Sequence, residues 1–142
     1  LMWIGLYSKS ARQHISKIRK NIYELKIRPT KKNMSNLRNE IFENNNPEMN
    51  TIKNSPDFYS SSGVRDLLFH THEQTFTILK IRQYLKKLGL MFLGFEDRYV
   101  INKFKAEYYK SKEMYDLDKW DEFEKNNPKI FSGMYQFWCK KI

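Results

Sequence analysis

The chain has 142 residues and a formal net charge of +10, and 40% of its residues are hydrophobic. This length and composition predict one folded domain with a core and exclude a disordered chain. The one cysteine, Cys139, excludes an internal disulfide framework and a cysteine-rich zinc site, and it indicates a reduced, cytoplasmic setting. No stretch approaches the roughly 20 apolar residues of a membrane span. The apolar run at the N-terminus lacks the preceding basic residues of a secretory signal.

Positive charge is concentrated in the first quarter of the chain. Residues 1–32 contain nine Lys and Arg against one acid, whereas residues 56–142 contain fifteen against twelve. This asymmetry predicts either an anionic partner, such as a nucleic acid, or a solvated basic helix face. In the first case Tyr7 and Tyr23 would add stacking surfaces. The basic side chains that would contact phosphates are Arg12, Lys17, Arg19, Lys20, Lys26, Arg28, Lys31 and Lys32.

The first part of the chain predicts a strand, a helix and an insertion. LMWIGLYS, residues 1–8, is a short apolar run that predicts a buried strand. Ser8 to Lys26 has isoleucines at helical spacing and predicts an amphipathic helix, which the Arg28-Pro29 pair ends. Residues 30–55 are polar and rich in asparagine. They are interpreted as a mobile insertion with a short helix around Ile41.

The middle of the chain predicts two helices and a strand. Ser61 to Glu73 predicts a helix capped by Ser61 or Ser62, with Val64, Leu67 and Leu68 as its apolar stripe. Thr77 caps a second helix that runs to Leu88, and Gly89 is the expected left-handed residue after it. The apolar residues Leu90 to Glu96 predict a strand, which completes a typical α/β unit.

The last part predicts two more helices and a terminal strand. Residues 98–114 predict the first helix, and Leu117, Trp120 and Phe123 mark the second. The terminal strand, MYQFWCKK, begins at Met134 and carries aromatic residues on both faces. It is therefore expected to be at least partly covered on both sides.

Two histidines and a glutamate lie together at the end of the 61–73 segment. His70 and His72 are two residues apart, so on a helix they point about 200° away from each other and do not share a metal. We therefore predict no metal site. His70 and Glu73 are three apart and on one helical side, where they would form either a general-base pair or a structural hydrogen bond at the edge of the core.

Three blocks of the sequence resemble the C-terminal part of bacterial class I S-adenosylmethionine-dependent methyltransferases. The blocks are IGLYS with the basic helix after it, SSGVRDLLFHTHEQTFTILKIRQYLKKLGLMFLGFE, and LDKWDEFEKNNPKIFSGMYQFWCKK. Some members of this family carry tetratricopeptide repeats ahead of the methyltransferase domain. The resemblance covers nearly the whole chain and is weakest over residues 30–55.

The resemblance implies an α/β fold: the C-terminal portion of a Rossmann-like seven-stranded sheet. Residues 1–8 would be its fifth strand, and residues 9–76 a large helical insertion that forms a lid on the substrate side. Residues 77–142 would supply the sixth strand and the seventh, which runs antiparallel to its neighbours. This partial domain would complete a sheet that begins in an N-terminal half, missing from this sequence.

The resemblance also implies a substrate site in the insertion. The family pattern S-x-x-R-D-L-x-F-H-x-x-E matches Ser62, Arg65, Asp66, His70 and Glu73. The first three would bind substrate, together with Tyr7. His70, backed by Glu73, would orient or deprotonate the methyl acceptor. Gln74 departs from the histidine that commonly follows the glutamate in this family, and His72 is peculiar to this chain.

The cofactor would bind outside this chain. Methyltransferases of this class hold S-adenosylmethionine through a glycine-rich turn, and no two of the five glycines lie close enough to form one. We therefore expect the chain to be inactive without its cofactor-binding half. Because it opens inside a predicted strand, we also expect it to be a truncated fragment rather than a natural short protein. The alternatives are a basic module that binds nucleic acid or another anion, and an assembly element that associates through an unpaired strand edge.

Overall fold

The computed structural model describes all residues from 1 to 142, and the chain divides into two compact units. Unit 1 consists of Leu1–Arg12 and Gln74–Ile142, and unit 2 consists of Gln13–Glu73. Each unit has its own hydrophobic core. The architecture is mixed α/β, with one four-stranded sheet and seven α-helices, which confirms the predicted class. No helix is long and apolar enough to cross a membrane.

The helices and strands follow one another along the chain. Unit 1 contains β1 (Met2–Ser8), β2 (Thr75–Phe76), α5 (Ile78–Leu88), β3 (Leu90–Phe95), α6 (Arg98–Glu107), α7 (Leu117–Asn126) and β4 (Met134–Lys141). Unit 2 contains α1 (Gln13–Glu24), α2 (Lys31–Glu43), α3 (Pro47–Lys53) and α4 (Ser61–Phe69). Two 3-10 turns complete the structure, Pro56–Tyr59 in unit 2 and Ser111–Tyr115 in unit 1.

The sheet of unit 1 has the strand order β2-β1-β4-β3. The terminal strand β4 runs antiparallel to both of its neighbours, β1 and β3, as expected. β1 and β3 are therefore parallel to each other. The short strand β2, which the sequence did not predict, pairs with β1 only at Tyr7 and Ser8. The outer edge of β1 is therefore free over Met2 to Leu6.

Only one face of this sheet is covered. The core of unit 1 joins α5, α6 and α7 to the alternate residues Tyr135, Phe137 and Cys139 of β4. On the opposite face Trp3 is 50% exposed, and its cross-strand neighbour Trp138 is 36% exposed. The predictions of a fully buried first strand and of a terminal strand covered on both sides are therefore wrong, because all the helices of the unit's core pack on the same side.

The helix before β3 follows its predicted capping. The Thr77 hydroxyl accepts a hydrogen bond from the Lys80 N–H at 3.2 Å, which satisfies one of the orphan donors of the first turn of α5. Gly89 ends the helix at φ 62°, in the left-handed region where a residue without Cβ is favoured. Leu88, the last residue of α5, is 56% exposed.

Unit 2 is more helical than its composition predicted. The first helix begins at Gln13 rather than Ser8, because the Ser8 hydroxyl and carbonyl hold the next residues in a turn. Residues 30–55, interpreted as a mobile insertion, form α2 and α3, which bury Ile41 and Ile52. The helix predicted over residues 61–73 ends at Phe69, and its cap is Ser60 rather than Ser61 or Ser62.

A glycine allows the closest approach within unit 2. Gly63 lies in the first turn of α4, where its N–H donates to the Ser60 hydroxyl at 2.9 Å. A Cβ at this position would lie 2.7 Å from the Cα of Asp57 and closer still to its carbonyl oxygen. Backbone atoms do not rotate away as side chains do, so α4 packs against the preceding turn only because residue 63 has no side chain.

Replacing Gly63 with alanine should therefore destabilise unit 2. We expect the unfolding free energy of Gly63→Ala to fall by about 2 kcal/mol, as for other overpacked sites. Urea denaturation followed by far-UV circular dichroism would measure it. Ser62→Ala, an exposed position on the same helix, is the matched control and should change stability by less than about 0.5 kcal/mol. Equal effects of the two changes would contradict the steric explanation.

Candidate functional site

A large cavity lies within unit 2. It has a volume of about 850 Å³ and opens between α1 and the segment 68–73 that follows α4. Its walls include Ile22 and Ile27 from α1 and the turn after it, and Leu68 and Phe69 from the end of α4. The surface that lines it is mostly apolar, and charged side chains surround it. It therefore has the concave shape and the largely apolar surface of a small-molecule site.

The Arg19 side chain joins the two walls of this cavity. Its Nε donates to the Leu67 carbonyl at 3.0 Å, and its Nη2 donates to the Asp66 carbonyl at 3.1 Å and to the Glu73 carboxylate at 3.0 Å. The two carbonyls belong to the last turn of α4, where they need partners and where a cation is favoured. Arg19 therefore caps α4 and holds the following segment against α1.

The turn after α1 forms the other end of the cavity. The Ile27 N–H donates to the Ile22 carbonyl at 3.0 Å, and the Lys26 N–H donates to the Tyr23 carbonyl at 3.1 Å. These two bonds form a Schellman motif, whose left-handed residue is usually glycine. Here that residue is Lys26, at φ 52°. The motif places Ile27 in the cavity wall and leaves Lys26 and Arg28 exposed at its rim.

Two of the predicted site residues lie at this cavity. His70 and Glu73 both line it, but they are not on one helical face, because α4 ends at Phe69 and His70 is extended. The helical pairing predicted for them is therefore wrong. In a continuing helix the Asp66 carbonyl would accept from the His70 N–H, but Arg19 binds that carbonyl instead. His70 Nδ1 accepts from the His72 N–H at 3.3 Å.

The other predicted site residues lie elsewhere. The side chains of Ser62, Arg65 and Asp66 are exposed on α4 and do not line the cavity. Tyr7 belongs to β1 of unit 1, where the Arg12 guanidinium lies 4.1 Å from the centre of its ring. The structure thus brings the side chains of His70 and Glu73 to the cavity beside Arg19, and not the side chains of the other four.

The chain supplies no site for a metal or for the predicted cofactor. No group of three or more His, Cys, Asp or Glu side chains is arranged to hold a metal ion. The glycines do not form a phosphate-type loop either. Gly5 and Gly94 lie within strands, Gly63 lies within α4, and Gly89 ends α5. The residues of this chain therefore do not fit S-adenosylmethionine.

Sequence reasoning missed the residues that shape the cavity. Arg19 was identified only as one of eight basic side chains that would contact phosphates, and no role was predicted for Ile27. The available signal was the position of Arg19 one residue after the buried Ile18, at the edge of the apolar stripe of α1. A cation at that edge, rather than opposite the stripe, is placed to bind groups of the neighbouring element.

A second polar cluster, also missed, lies buried in unit 1. The Tyr135 hydroxyl donates to the two carboxylate oxygens of Glu124 at 2.7 and 2.9 Å, and the Ser8 hydroxyl donates to one of them at 3.2 Å. Burial raises the pKa of Glu124 above its usual value, although these hydrogen bonds oppose the shift. Burial also raises the pKa of Tyr135. The cluster links the ends of β1, α7 and β4.

Removing Arg19 should loosen the cavity. We expect Arg19→Ala to lower the unfolding free energy by about 2 kcal/mol, because three hydrogen bonds from a charged donor are lost. Arg19→Lys should recover little, since one ammonium group does not reproduce the planar guanidinium. Urea denaturation would measure both. Lys17→Ala, on the same helix with an exposed ion pair to Glu48, is the control and should cost less than about 1 kcal/mol. A cost for Arg19→Ala as small as that of the control would contradict this role.

The buried carboxylate should make stability depend on pH. Because the pKa of Glu124 is raised in the folded state, the folded chain binds this proton more tightly than the unfolded chain. Its contribution to stability is full below the usual glutamate pKa and is lost as the pH rises through the raised value. As the pH rises through that window, the unfolding free energy of the wild type should therefore fall relative to that of Glu124→Gln. Exposed Glu122→Gln is the control; parallel profiles for all three proteins would contradict the assignment.

Comparison with known proteins does not assign the chain to a family. No protein-family model matches the chain, and no curated protein matches it. The resemblance to methyltransferases therefore stays a prediction, and the function is argued from the residues themselves.

Proposed function

We propose that this chain is the C-terminal part of an S-adenosylmethionine-dependent methyltransferase. In this proposal it supplies substrate-side residues, while the cofactor loop lies in an N-terminal half, with or without tetratricopeptide repeats. The observation that carries the proposal is the point at which unit 2 is inserted. The chain leaves the sheet after Ser8, at the carboxyl end of β1, and returns at β2, which pairs with that same end.

This insertion point has a functional meaning in α/β proteins. Ligands of open α/β sheets bind outside the carboxyl ends of the parallel strands. β1 and β3 are parallel, so their carboxyl ends lie at one edge, and the insertion begins and ends there. A large helical segment inserted at that edge is suited to bind a substrate. This is the role that the resemblance implies for residues 9–76.

Two further features of unit 1 support the proposal. The terminal strand β4 runs antiparallel to both neighbours, as the resemblance implies for the seventh strand. The free edge of β1 and the exposed Trp3 and Trp138 leave one edge and one face of the sheet open. A sheet edge and an exposed apolar face are the surfaces that further strands and covering helices would use.

The cavity residues have modest roles under this proposal. Methyl transfer depends mainly on alignment of the acceptor with the sulfonium carbon, so the protein contributes chiefly position. Arg19 and Glu73 hold the cavity wall, and His70 at the cavity is available to accept a proton from the acceptor. Ser62, Arg65 and Asp66 are exposed, so any contact they make with the acceptor would be at the surface of α4.

A second candidate function is binding of nucleic acid. It is favoured by Tyr23, which is 83% exposed on the same helix as Lys17 and Lys20. Exposed aromatic rings beside cations are the elements that stack bases and contact phosphates. Both lysines already face carboxylates of the chain, Glu48 and Glu24. Fewer free charges than the sequence suggested are therefore available for phosphates.

The DNA upstream of the Leu1 codon tests the methyltransferase proposal. We expect an open reading frame that encodes an apolar strand followed by a glycine-rich turn and, further on, an acidic residue. The enzyme so encoded should release S-adenosylhomocysteine when cell extract supplies the acceptor. A stop codon followed by a start codon close to Leu1 would contradict the proposal.

In that enzyme the role of His70 can be tested by comparison with another histidine of unit 2. His70→Ala should lower turnover by about 100-fold if His70 acts as a general base. The control is His14→Ala on α1, a histidine that does not line the cavity, and it should leave turnover unchanged. Wild-type turnover in His70→Ala would remove His70 from the catalytic residues without affecting the assignment of the fold.

A further inference from the structure

We infer that the cavity of unit 2 binds a small molecule with an apolar body and an anionic head group, a carboxylate or a phosphate monoester. Its volume of about 850 Å³ lies within the range of cavities that enclose small ligands. Most of its lining surface is apolar, and Ile22, Ile27, Leu68 and Phe69 contribute to it. Such walls favour the burial of a hydrocarbon or aromatic body.

The charges around the cavity select the head group. Four cationic side chains line it, Arg19, Lys20, Lys26 and Arg28, against one carboxylate, that of Glu73. Arg19 is bound to Glu73 and to the two backbone carbonyls of α4, so this pair contributes no net charge. Lys20 faces Glu24 at 3.7 Å. The excess positive charge therefore comes from Lys26 and Arg28.

Lys26 and Arg28 both line the cavity, and neither has an ion pair in the structure. Two unpaired cations beside an apolar wall provide a site for an anion, and an arginine can bind a carboxylate or a phosphate through two hydrogen bonds. A cationic head group would be repelled here, and a neutral one would gain less than an anion. The unpaired charges thus favour an anionic head group near Lys26 and Arg28.

The backbone around Lys26 and Arg28 is held in place before any ligand binds. The Schellman motif fixes Lys26 and Ile27, and the Arg28 carbonyl accepts from the Thr30 N–H at 2.8 Å and from Asn33 Nδ2 at 3.0 Å. Lys26 stands at a left-handed position where glycine would be the unstrained residue. A lysine in this position is less favourable than glycine, but it places a positive charge at the rim of the cavity. Residues held in strained conformations cluster at ligand sites.

This inference concerns binding and stands apart from the chemistry. If the chain is part of a methyltransferase, the same ligand class would describe the methyl acceptor, and that step alone rests on the proposed function. The upstream reading frame tests the methyltransferase assignment, whereas the titrations below test only the cavity. Failure of one therefore does not imply failure of the other.

Calorimetric titration of the whole chain with four naphthalene probes tests the inference. 1-Naphthoate, 1-naphthyl phosphate, 1-naphthol and 1-naphthylmethylammonium share one apolar body and differ in the charge of the head group. We expect at least one of the two anions to bind about tenfold or more tightly than the neutral and cationic probes. The ranking of the two anions identifies the preferred head group. Equal affinity for all four probes, or no binding by either anion, would overturn the inference.

Charge-removing variants locate the binding. The double change Lys26→Gln with Arg28→Gln should weaken anion binding by about tenfold and leave 1-naphthol binding unchanged. Both side chains are exposed and lie outside the helices, so the fold should persist, which circular dichroism would check. The control is Lys86→Gln with Lys87→Gln, which removes two exposed charges from α5 of unit 1. Unchanged anion affinity in the Lys26 and Arg28 variant would overturn the inference.

Competition with an oligonucleotide distinguishes a small anion from a nucleic acid as the ligand of this cavity. A single-stranded oligonucleotide that displaces 1-naphthyl phosphate and binds more tightly than either naphthalene anion would reassign the site to nucleic acid. It would thereby overturn the small-molecule inference. Displacement of the fluorescent naphthyl group at low salt is the readout, since phosphate contacts weaken as salt rises. Failure of the oligonucleotide to displace the probe supports the small anion.

Discussion

One guanidinium group connects the parts of unit 2 that form the cavity. Arg19 leaves α1 at the edge of its apolar stripe and binds two terminal carbonyls of α4 and the carboxylate of Glu73. These three bonds end α4 at Phe69 and direct the following residues along α1. Without this cation the last carbonyls of α4 would need other partners, because a helix end leaves its final acceptors unsatisfied. The position of His70 at the cavity depends on the same contact.

Unit 1 depends on a different constraint, the one-sided cover of its sheet. Its helices pack on the face that presents Tyr135, Phe137 and Cys139, and the other face keeps Trp3 and Trp138 exposed. The core supplies the stability of the unit through aromatic packing, in which the rings of Phe104 and Trp120 stack 3.7 Å apart. An arrangement of this kind is stable on one side and open to association on the other. The open edge and face support the methyltransferase proposal, which is carried by the point at which unit 2 is inserted.

Much of the secondary structure could be read from periodicity and capping. Thr77 and Gly89 bounded α5 correctly, and the alternation in the last block gave β4. The candidate site was harder to predict. His70 and Glu73 were found by their residue types, but their predicted helical pairing failed because the helix ends earlier. The apolar stripe of α4 gave no sign of that end, because the group that terminates the helix is Arg19, 48 residues away from Leu67 in sequence.

The sequence by itself determined the α/β class, most of the strands and helices, the basic character of the first quarter and the lack of a glycine-rich loop. These properties follow from local spacing and composition, which each segment carries without its neighbours. Tertiary structure alone decided which charges remain free. Lys17 and Arg19 bind carboxylates far away in sequence, Glu48 and Glu73, whereas Lys26 and Arg28 face none. Whether a cation is available to a ligand depends on what packs beside it, and residues far apart in the chain decide that.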